Sequence, residues 1–253
     1  MENTAHFLFY DALNDFLPRR QRGQELHYAF SDSPAVKDAI EALGIPHPEV
    51  GAVLLNGEPV PFTASLPAGA QVEVFSFDLH QQGQPAYLVQ LALPVPCRFV
   101  LDVHLGSLAR ALRMLGFDTC YETTYTDSEI AQMAARENRI VLTRDIGLLK
   151  QRIISWGYWL RSQHLREQVQ EVLLRYGLLS QFRPFTRCMA CNGSIVPVSK
   201  AAVMDQLPPK TQQYFHEFYQ CRQCQRVYWK GSHYERMQEW VQQLQGAAFS
   251  ATG

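Results

Sequence analysis

Four acidic residues between positions 102 and 145 stand where predicted strands end or a predicted helix begins. Asp102 closes one apolar strand, Asp145 follows another, and Asp127 and Glu129 open the helix between them. Because the carboxyl ends of parallel strands meet at one edge of a sheet, we expect these carboxylates to converge. Crowded carboxylates repel one another unless they share a divalent cation, and Mg²⁺ and Mn²⁺ prefer such oxygen ligands. Such an ion can activate water and stabilise charge on a phosphodiester.

A competing interpretation is that the same acids only cap helices. An Asp that follows a strand often caps the next helix. Thr126 and Glu129 also fit a capping box, in which the Glu129 side chain bonds back to the backbone and is not available to a metal. On spacing alone, the metal and capping interpretations both stay open.

Four cysteines form a second candidate site. They are arranged as two Cys-x-x-Cys pairs, Cys188 with Cys191 and Cys221 with Cys224. Each pair can supply two thiolates to one tetrahedral Zn²⁺, and a closed Cys₄ site is structural because it leaves no open coordination position. Two disulfides or a redox pair are the alternatives, which a cytosolic setting and the paired motifs disfavour. A helix over Asp205–Phe218 is expected between the pairs.

Basic and aromatic residues alternate after the second cysteine pair. Arg226, Trp229, Lys230 and His233, with Tyr228, combine positive charge with stacking faces, which single-stranded RNA requires. The alternative is that the aromatic side chains cover the zinc site. Adjacent strand residues point to opposite faces, so one aromatic ring can pack while the other faces outward.

Three arginines closer to the acids are further candidates for RNA contact. Arg110 and Arg113 are three apart on a predicted helix, and guanidinium groups pair bidentately with phosphate. A solvated helix face or surface salt bridges would explain them equally well. Arg144 is adjacent to Asp145, so it is expected either to orient that carboxylate or to touch RNA.

The elements that must position these residues alternate between strand and helix. Alternation of this kind predicts an α/β domain with a mostly parallel sheet over residues 97–180. The predicted strands are Arg98–Val103, Phe117–Glu122, Ile140–Thr143 and Ile153–Leu160, and the predicted helices are Leu105–Leu115, Thr126–Glu137, Leu148–Arg152 and His164–Tyr176. Residues 181–253 lose this pattern and end in a predicted helix over His233–Leu244.

The first 80 residues predict a separate small domain. Strands are expected at His6–Tyr10, Glu25–Phe30, Val50–Leu55 and Val72–Phe77, with a helix that starts at Ser33-Pro34 and ends at Gly44, and a tight turn at Asn56-Gly57. This order resembles the ubiquitin-like β-grasp. The last strand runs into Phe77-Asp78-Leu79-His80 without the Gly-Gly tail of ubiquitins and sulfur carriers, so conjugation or sulfur transfer is not expected. The Pro-rich segment 81–96 is predicted to be a linker.

Composition narrows the class of protein. The chain has 253 residues, of which 47% are hydrophobic, so it is expected to form packed domains and not a disordered chain. No stretch approaches the ~20 apolar residues that cross a bilayer, and the start lacks a signal peptide, so we expect a cytoplasmic protein. The net charge of −1 hides a charge of −7 over residues 1–96 and +6 over residues 97–253. This asymmetry makes nucleic acid a candidate partner of the second part.

Three motifs together resemble one known family. They are the long segment Phe99–Thr119, the run Thr126-Asp-Ser-Glu-Ile, and Ile140-Val-Leu-Thr-Arg-Asp, with the later Tyr-Trp-Lys-Gly-Ser-His run in support. They are similar to the Mut-seven C-terminal RNase family, a PIN-like nuclease domain with a zinc ribbon. Bacterial members often carry a ubiquitin-like domain in front.

The resemblance implies metal-dependent RNA cleavage, with Asp102 and Asp145 as central ligands of Mg²⁺ or Mn²⁺, Asp127 as a third and Glu129 as a fourth. The sequence departs from the common pattern at Ser107, where Lys is usual, at Ala111, where Trp is usual, and at Ile146-Gly147, where a charged residue often follows. These departures bear on substrate contacts and leave the carboxylates in place.

The expected architecture is therefore a ubiquitin-like β-grasp domain over residues 1–80, a linker over 81–96, a PIN-like α/β core over 97–180 and a Cys₄ zinc ribbon over 181–253. The expected function is that of a metal-dependent ribonuclease whose ribbon aids RNA binding. The alternative is a non-catalytic RNA- or ribosome-binding adaptor whose β-grasp domain docks a protein partner.

Overall fold

The computed structural model describes residues 3–77 and 93–250, with side chains described up to residue 246. Most of the predicted linker, residues 81–92, lies outside these ranges. The chain forms two compact units, Met1–Asp102 with Tyr125–Arg161, and Val103–Thr124 with Ser162–Gly253. Among the described helices, none combines the length and the apolar character that a membrane span requires.

The first unit begins with a five-stranded mixed sheet under one helix. Its elements are β1 (Asn3–Phe9), β2 (Leu26–Phe30), α1 (Val36–Ala42), β3 (Val50–Leu55), β4 (Glu58–Pro59) and β5 (Gln71–Ser76), with short 3-10 helices at Asp11–Phe16, Arg19–Gln21 and His47–Glu49. The strand order is β2-β1-β5-β3-β4, and β1 runs parallel to β5 while the other pairs are antiparallel. Alternate residues of β1 and β5 face the core beneath α1, which confirms the predicted β-grasp.

Local backbone chemistry explains most of the turns in this sheet. Asn56 and Gly57 both have positive φ angles, 53° and 85°, as a tight hairpin turn requires, and Gly44 ends α1 with φ at 105°. The predicted helix start at Ser33-Pro34 is wrong. Because Ala35 pairs with Ser65 in an isolated bridge, the chain stays extended and α1 begins at Val36.

The remainder of the first unit holds three parallel strands and two helices. They are β6 (Arg98–Leu101), α3 (Asp127–Glu137), β8 (Ile140–Thr143), α4 (Ile146–Leu149) and β9 (Gly157–Trp159), where β7 belongs to the second unit and is given below. β8 lies between β6 and β9, and it is parallel to both. All four residues of β8 are buried, as is usual for a parallel strand covered on both faces.

The second unit combines α2 (Gly106–Met114), β7 (Asp118–Cys120) and α5 (Leu165–Arg175) with the cysteine-containing segment. That segment contains β10 (Ile195–Val198), α6 (Lys200–Val203), a 3-10 turn at Met204–Gln206, α7 (Pro209–Tyr214), β11 (Phe218–Cys221), β12 (Val227–Trp229) and α8 (Ser232–Ser250). β10, β11 and β12 form an antiparallel sheet. The helix predicted over Asp205–Phe218 is therefore shorter, because β11 begins at Phe218 and a proline opens α7.

Gly116 shows how closely the cysteine-containing segment approaches α2 in the second unit. It follows α2 with φ at 96°, and a Cβ at this position would lie 2.2 Å from the Arg183 carbonyl oxygen. Only glycine fits both the conformation and the close approach. With this unit in place, the mixed α/β fold predicted from the sequence is confirmed.

Candidate active site and zinc centre

Thr143, the last residue of β8, links two of the predicted acids. Its hydroxyl donates a hydrogen bond of 2.8 Å to Oδ2 of Asp102 and accepts one of 2.8 Å from the backbone N–H of Asp145. Thr143 is fully buried and Asp102 is 7% exposed. A single buried hydroxyl therefore fixes the carboxylate that follows β6 and the loop that follows β8.

Asp145 also begins α4. Its Oδ1 accepts a hydrogen bond of 2.7 Å from the N–H of Gly147, so this oxygen caps the helix. Asp145 is exposed, in contrast to Asp102. The cap orients the carboxylate and leaves Oδ2 outside that bond.

Asp127 is the first residue of α3, and both of these acids affect the pKa of its carboxyl group. Burial raises the pKa of its carboxyl, and the negative charges of Asp145 and Asp102 raise it further. Like charges that disfavour ionisation of one another are the signature of carboxylates gathered in one place. Asp102 and Asp145 thus follow neighbouring parallel strands, and Asp127 lies near enough for their charges to raise its pKa.

Glu129 forms the predicted capping box with Thr126. Its Oε2 accepts hydrogen bonds from both the backbone N–H and the hydroxyl of Thr126, at 2.7 and 2.9 Å. These bonds complete a capping box at the start of α3 and lower the pKa of the Glu129 carboxyl. The structure therefore shows Glu129 in the capping box that the sequence offered as the alternative to a metal ligand.

The three aspartates offer carboxylate oxygens but are less compact than a closed metal site. In the described part of the chain, they do not form a group whose potential ligand atoms all lie within 4.8 Å of one another. Mg²⁺ is typically held by one or two carboxylates, keeps several waters and binds substrate phosphate oxygens. Asp102, Asp127 and Asp145 supply negative charge and oxygen ligands for such an ion.

The four cysteines in the second unit form a much tighter group. The Sγ atoms of Cys188 and Cys224 are 3.5 Å apart, those of Cys191 and Cys221 are 3.4 Å apart, and all four lie within 4.8 Å of one another. Sulfur atoms around tetrahedral Zn²⁺ are about 3.8 Å apart, because each Zn–S bond measures about 2.3 Å. This cluster could therefore hold zinc.

Hydrogen bonds prepare one of these thiols to ionise. Burial opposes ionisation of Cys188, but the Tyr228 hydroxyl, 3.0 Å from its sulfur, and the backbone of Cys191 and Ala190 lower its pKa to about 6. Since the thiolate is the form that binds zinc, these hydrogen bonds favour a metal at Cys188, whereas burial raises the pKa of Cys191 and of Cys224. The bond to Cys188 also shows that Tyr228 covers the cysteine cluster, as one of the two sequence interpretations proposed.

Arg113 serves the cysteine cluster and is not a surface residue. It is 3% exposed, and its guanidinium donates to the carbonyl oxygens of Thr119, Met189 and Ala190 at 2.9, 3.2 and 2.8 Å. Met189 and Ala190 are the two residues between the first cysteine pair. The prediction that Arg113 contacts RNA is therefore wrong, because its donors are occupied by the backbone of its own chain.

A cavity of about 710 Å³ lies beside the cysteine cluster in the second unit. Aromatic side chains and basic side chains share its wall, and none of the described residues that line it is acidic. The aromatic members are Phe185, Tyr219, Tyr228, Trp229 and Tyr234, and the basic members are Arg187, Arg226, Lys230 and His233. The four predicted RNA-contacting residues of this segment, Arg226, Trp229, Lys230 and His233, thus line one cavity, whose size is typical of ligand sites.

The remaining predicted RNA contacts are exposed arginines. Arg110 projects from α2 in the second unit, and Arg144 precedes Asp145 in the first. The carbonyl oxygen of Arg144 accepts a hydrogen bond of 3.1 Å from the indole N–H of Trp159. The sequence predicted no more specific contact for either arginine.

Sequence reasoning missed Thr143 and Trp159 as site residues. Thr143 carried a weak signal, since a hydroxyl that ends a buried strand before an acid can bond to that acid. Trp159 carried none, because its bond to Arg144 depends on β8 and β9 lying side by side.

A ubiquitin-like sheet, a parallel sheet followed by acidic residues and a four-cysteine cluster define the class of protein as a mixed α/β protein with a cysteine-containing module. The family model described as the Mut7-C RNAse domain matches residues 97–241, and the one described as Mut7-C ubiquitin matches residues 2–81. The chain therefore belongs to the Mut7-C RNAse domain family. A search of curated proteins found no match.

Proposed function

We propose that this protein hydrolyses RNA phosphodiester bonds with a divalent ion, Mg²⁺ or Mn²⁺, held by Asp102, Asp127 and Asp145. The observation that carries the proposal is the Thr143 hydroxyl, which fixes Asp102 and the Asp145 loop together in a chain of the Mut7-C RNAse family. A residue without a side-chain hydroxyl at the end of β8 could not bond to both acids in this way.

Each aspartate has its own part in the proposed site. Asp102 is the buried, positioned ligand, and Asp145 is held by its helix cap. Asp127 is exposed, and the negative charges of the other two acids oppose its ionisation. A cation bound there would relieve this repulsion, lower the pKa of a bound water and stabilise the charge that develops on the phosphodiester. Glu129 supports the site by fixing the start of α3.

The cavity beside the cysteine cluster is the proposed RNA-binding surface. Its aromatic faces suit unstacked bases, and its basic side chains suit phosphate oxygens. Lys230 lies beside an aromatic ring, with its ammonium 6.0 Å from the centre of the Tyr219 ring, and phosphate would have to displace the exposed Glu217, whose carboxylate oxygen lies 2.6 Å from that ammonium. In this proposal the zinc is structural, and it holds the strands that carry the cavity wall.

The β-grasp domain has a proposed role in the same site. Within the first unit, Oε1 of the fully buried Glu49 accepts a hydrogen bond of 2.6 Å from the backbone N–H of Trp159, and the Phe16 ring lies 5.2 Å from the Trp159 ring. Trp159 in turn donates to the Arg144 carbonyl, next to Asp145. The domain thus braces the β9 edge and the acidic loop, a role that differs from docking a protein partner.

The direct test is RNA cleavage in Mn²⁺ by the wild type, the Asp102→Asn variant and the Asp32→Asn variant. Asp32 is an exposed acid in a turn of the β-grasp domain, so it controls for the loss of one charge. We expect Asp102→Asn to lower kcat by roughly 100-fold or more and Asp32→Asn to leave it unchanged. Equal activity in all three, or none in any, would refute the proposal.

A non-catalytic RNA-binding adaptor is the second candidate. It is favoured by one observation, that Asp145 and Glu129 both cap helices and so have structural explanations. It predicts that the full chain binds RNA equally well with and without divalent metal, and that Asp145→Asn leaves binding unchanged. No cleavage would accompany this result.

A further inference from the structure

Two histidines and a glutamate gather on the outer face of the β-grasp sheet. Nδ1 of His6 lies 2.9 Å from Oε1 of Glu25, and Nε2 of His27 lies 3.9 Å from the same oxygen. One potential ligand atom from each residue lies within 4.8 Å of the other two. Among the described residues, only the four cysteines form another group as compact as this one.

The scaffold of the cluster is well suited to hold two imidazoles together. His6 on β1 and His27 on β2 are direct cross-strand partners, and such pairs have Cβ atoms about 5 Å apart. Their rings meet edge to face with centroids 4.7 Å apart. Their neighbours in β1, Ala5 and Phe7, point into the core, so the pleat fixes His6 on the outer face. The backbone therefore sets the separation of the histidines before any metal binds.

The donor set decides which metal would bind. Imidazole nitrogen suits Zn²⁺ and its first-row neighbours, whereas Mg²⁺ and Ca²⁺ prefer sites built from oxygen. Two histidines and one glutamate, with a remaining position for water, form a common ligand set for zinc. The surrounding domain also carries the acidic share of the chain's charge, −7 over residues 1–96, which favours cation binding.

We infer that His6, Glu25 and His27 form a second metal site, which binds Zn²⁺ or a related first-row divalent ion through two imidazoles and one carboxylate. Ligand atoms around tetrahedral Zn²⁺ lie about 3.3 Å apart, so the three atoms need to close by roughly 1.5 Å at most. Glu25 and His27 are exposed, and turning their side chains supplies this movement. The metal would replace the proton that His6 now shares with Glu25.

The test is calorimetric titration of Zn²⁺ into full-length protein whose four cysteines already hold one equivalent of zinc. An excess of Mg²⁺ keeps the aspartate site occupied, since that site prefers the harder ion and the imidazoles do not. We expect one further equivalent of Zn²⁺ to bind. Circular dichroism of each variant confirms that the exposed substitutions leave the sheet folded.

Three variants and one control identify the ligands. His6→Ala, His27→Ala and Glu25→Gln are each expected to weaken this second binding event by roughly 10-fold or more, because even indirect partners of a metal ligand are typically worth 10- to 100-fold. His164→Ala removes an exposed histidine outside the cluster and should bind as the wild type does. Absence of a second equivalent in the wild type, or equal binding in wild type and His27→Ala, would show that the cluster is an ion pair only.

Discussion

Replacement of Thr143 by valine should separate the positioning of the acids from the packing of the sheet. Valine has nearly the shape of threonine but no hydroxyl, so it removes the bond to Asp102 and the bond from the Asp145 N–H while it keeps the volume of the buried side chain. Serine keeps the hydroxyl and removes one methyl group. The two variants therefore form a matched pair.

The expected magnitudes follow from the contacts. A hydrogen bond to a charged group is worth about 1.5–3 kcal/mol and a neutral one about 0.5–1.5 kcal/mol, so Thr143→Val should lower the free energy of unfolding by about 2–4 kcal/mol. No discount for solvent applies, because Thr143 is fully buried. Thr143→Ser should lose about 1 kcal/mol for the missing methyl group and a small cavity.

The activity, like the free energy of unfolding, should fall more in the valine variant than in the serine variant. If the hydroxyl places Asp102 and Asp145 for metal binding, Thr143→Val should lower kcat in saturating Mn²⁺ by about 10-fold or more, since 1.4 kcal/mol corresponds to a factor of ten. Thr143→Ser should stay within a few-fold of the wild type. The assay is single-turnover cleavage of a labelled RNA, with thermal unfolding measured on the same samples. Equal kcat for the valine and serine variants would refute the reasoning.

Three further predictions concern the brace, the zinc and the charge of the acids. Trp159→Phe keeps an aromatic ring but removes the bond to the Arg144 carbonyl, so kcat should fall several-fold while the free energy of unfolding changes by about 1 kcal/mol or less; an unchanged kcat would disprove the brace. A strong chelator should release one tightly bound zinc per chain and lower both Tm and RNA affinity, whereas release without loss of RNA affinity would separate the ribbon from RNA binding. The carboxyl pKa of Asp127 is raised by burial and by the charges of Asp145 and Asp102, so its contribution to stability is present at low pH and is lost as pH rises through that pKa. Asp127→Asn should therefore raise the Tm of the metal-free protein at neutral pH but not below pH ~4, and Mn²⁺ should stabilise the wild type more than the variant; a Tm difference that does not vary with pH would contradict this.

Local patterns in the sequence were sufficient for several of the elements and for the cysteine cluster. The Asn56-Gly57 turn, the strand Val50–Leu55 and the strand Ile140–Thr143 follow from backbone preferences and hydrophobic runs, and the structure has both strands with the predicted bounds. The two cysteine pairs likewise needed only their own spacing. In each case the relevant interactions lie within a few residues or follow from a fixed motif.

Interactions between distant segments could not be predicted from the sequence. Arg113 is three residues from the exposed Arg110. Its guanidinium nevertheless donates hydrogen bonds to the carbonyl oxygens of Met189 and Ala190, more than 70 positions away. The contact of Glu49 with Trp159 spans 110 positions. The periodicity of the sequence does not indicate such pairs. A charged residue on a helix face has the same sequence pattern whether its side chain contacts water or a distant carbonyl oxygen.

The interleaving of the two units sets an order for folding during synthesis. The first unit ends at Arg161, so all of its segments have been made before the first zinc-cluster residue, Cys188, is added. The segment Val103–Thr124, by contrast, must wait for Ser162–Gly253 before its own unit is complete. Because chains fold in units as they emerge, the nascent protein holds a finished acidic edge while α2 still lacks the carbonyl partners of Arg113. Under the proposed function, zinc uptake by the cysteines would then come late in maturation, and a growing chain would hold the proposed acidic site before the proposed RNA-binding cavity is complete.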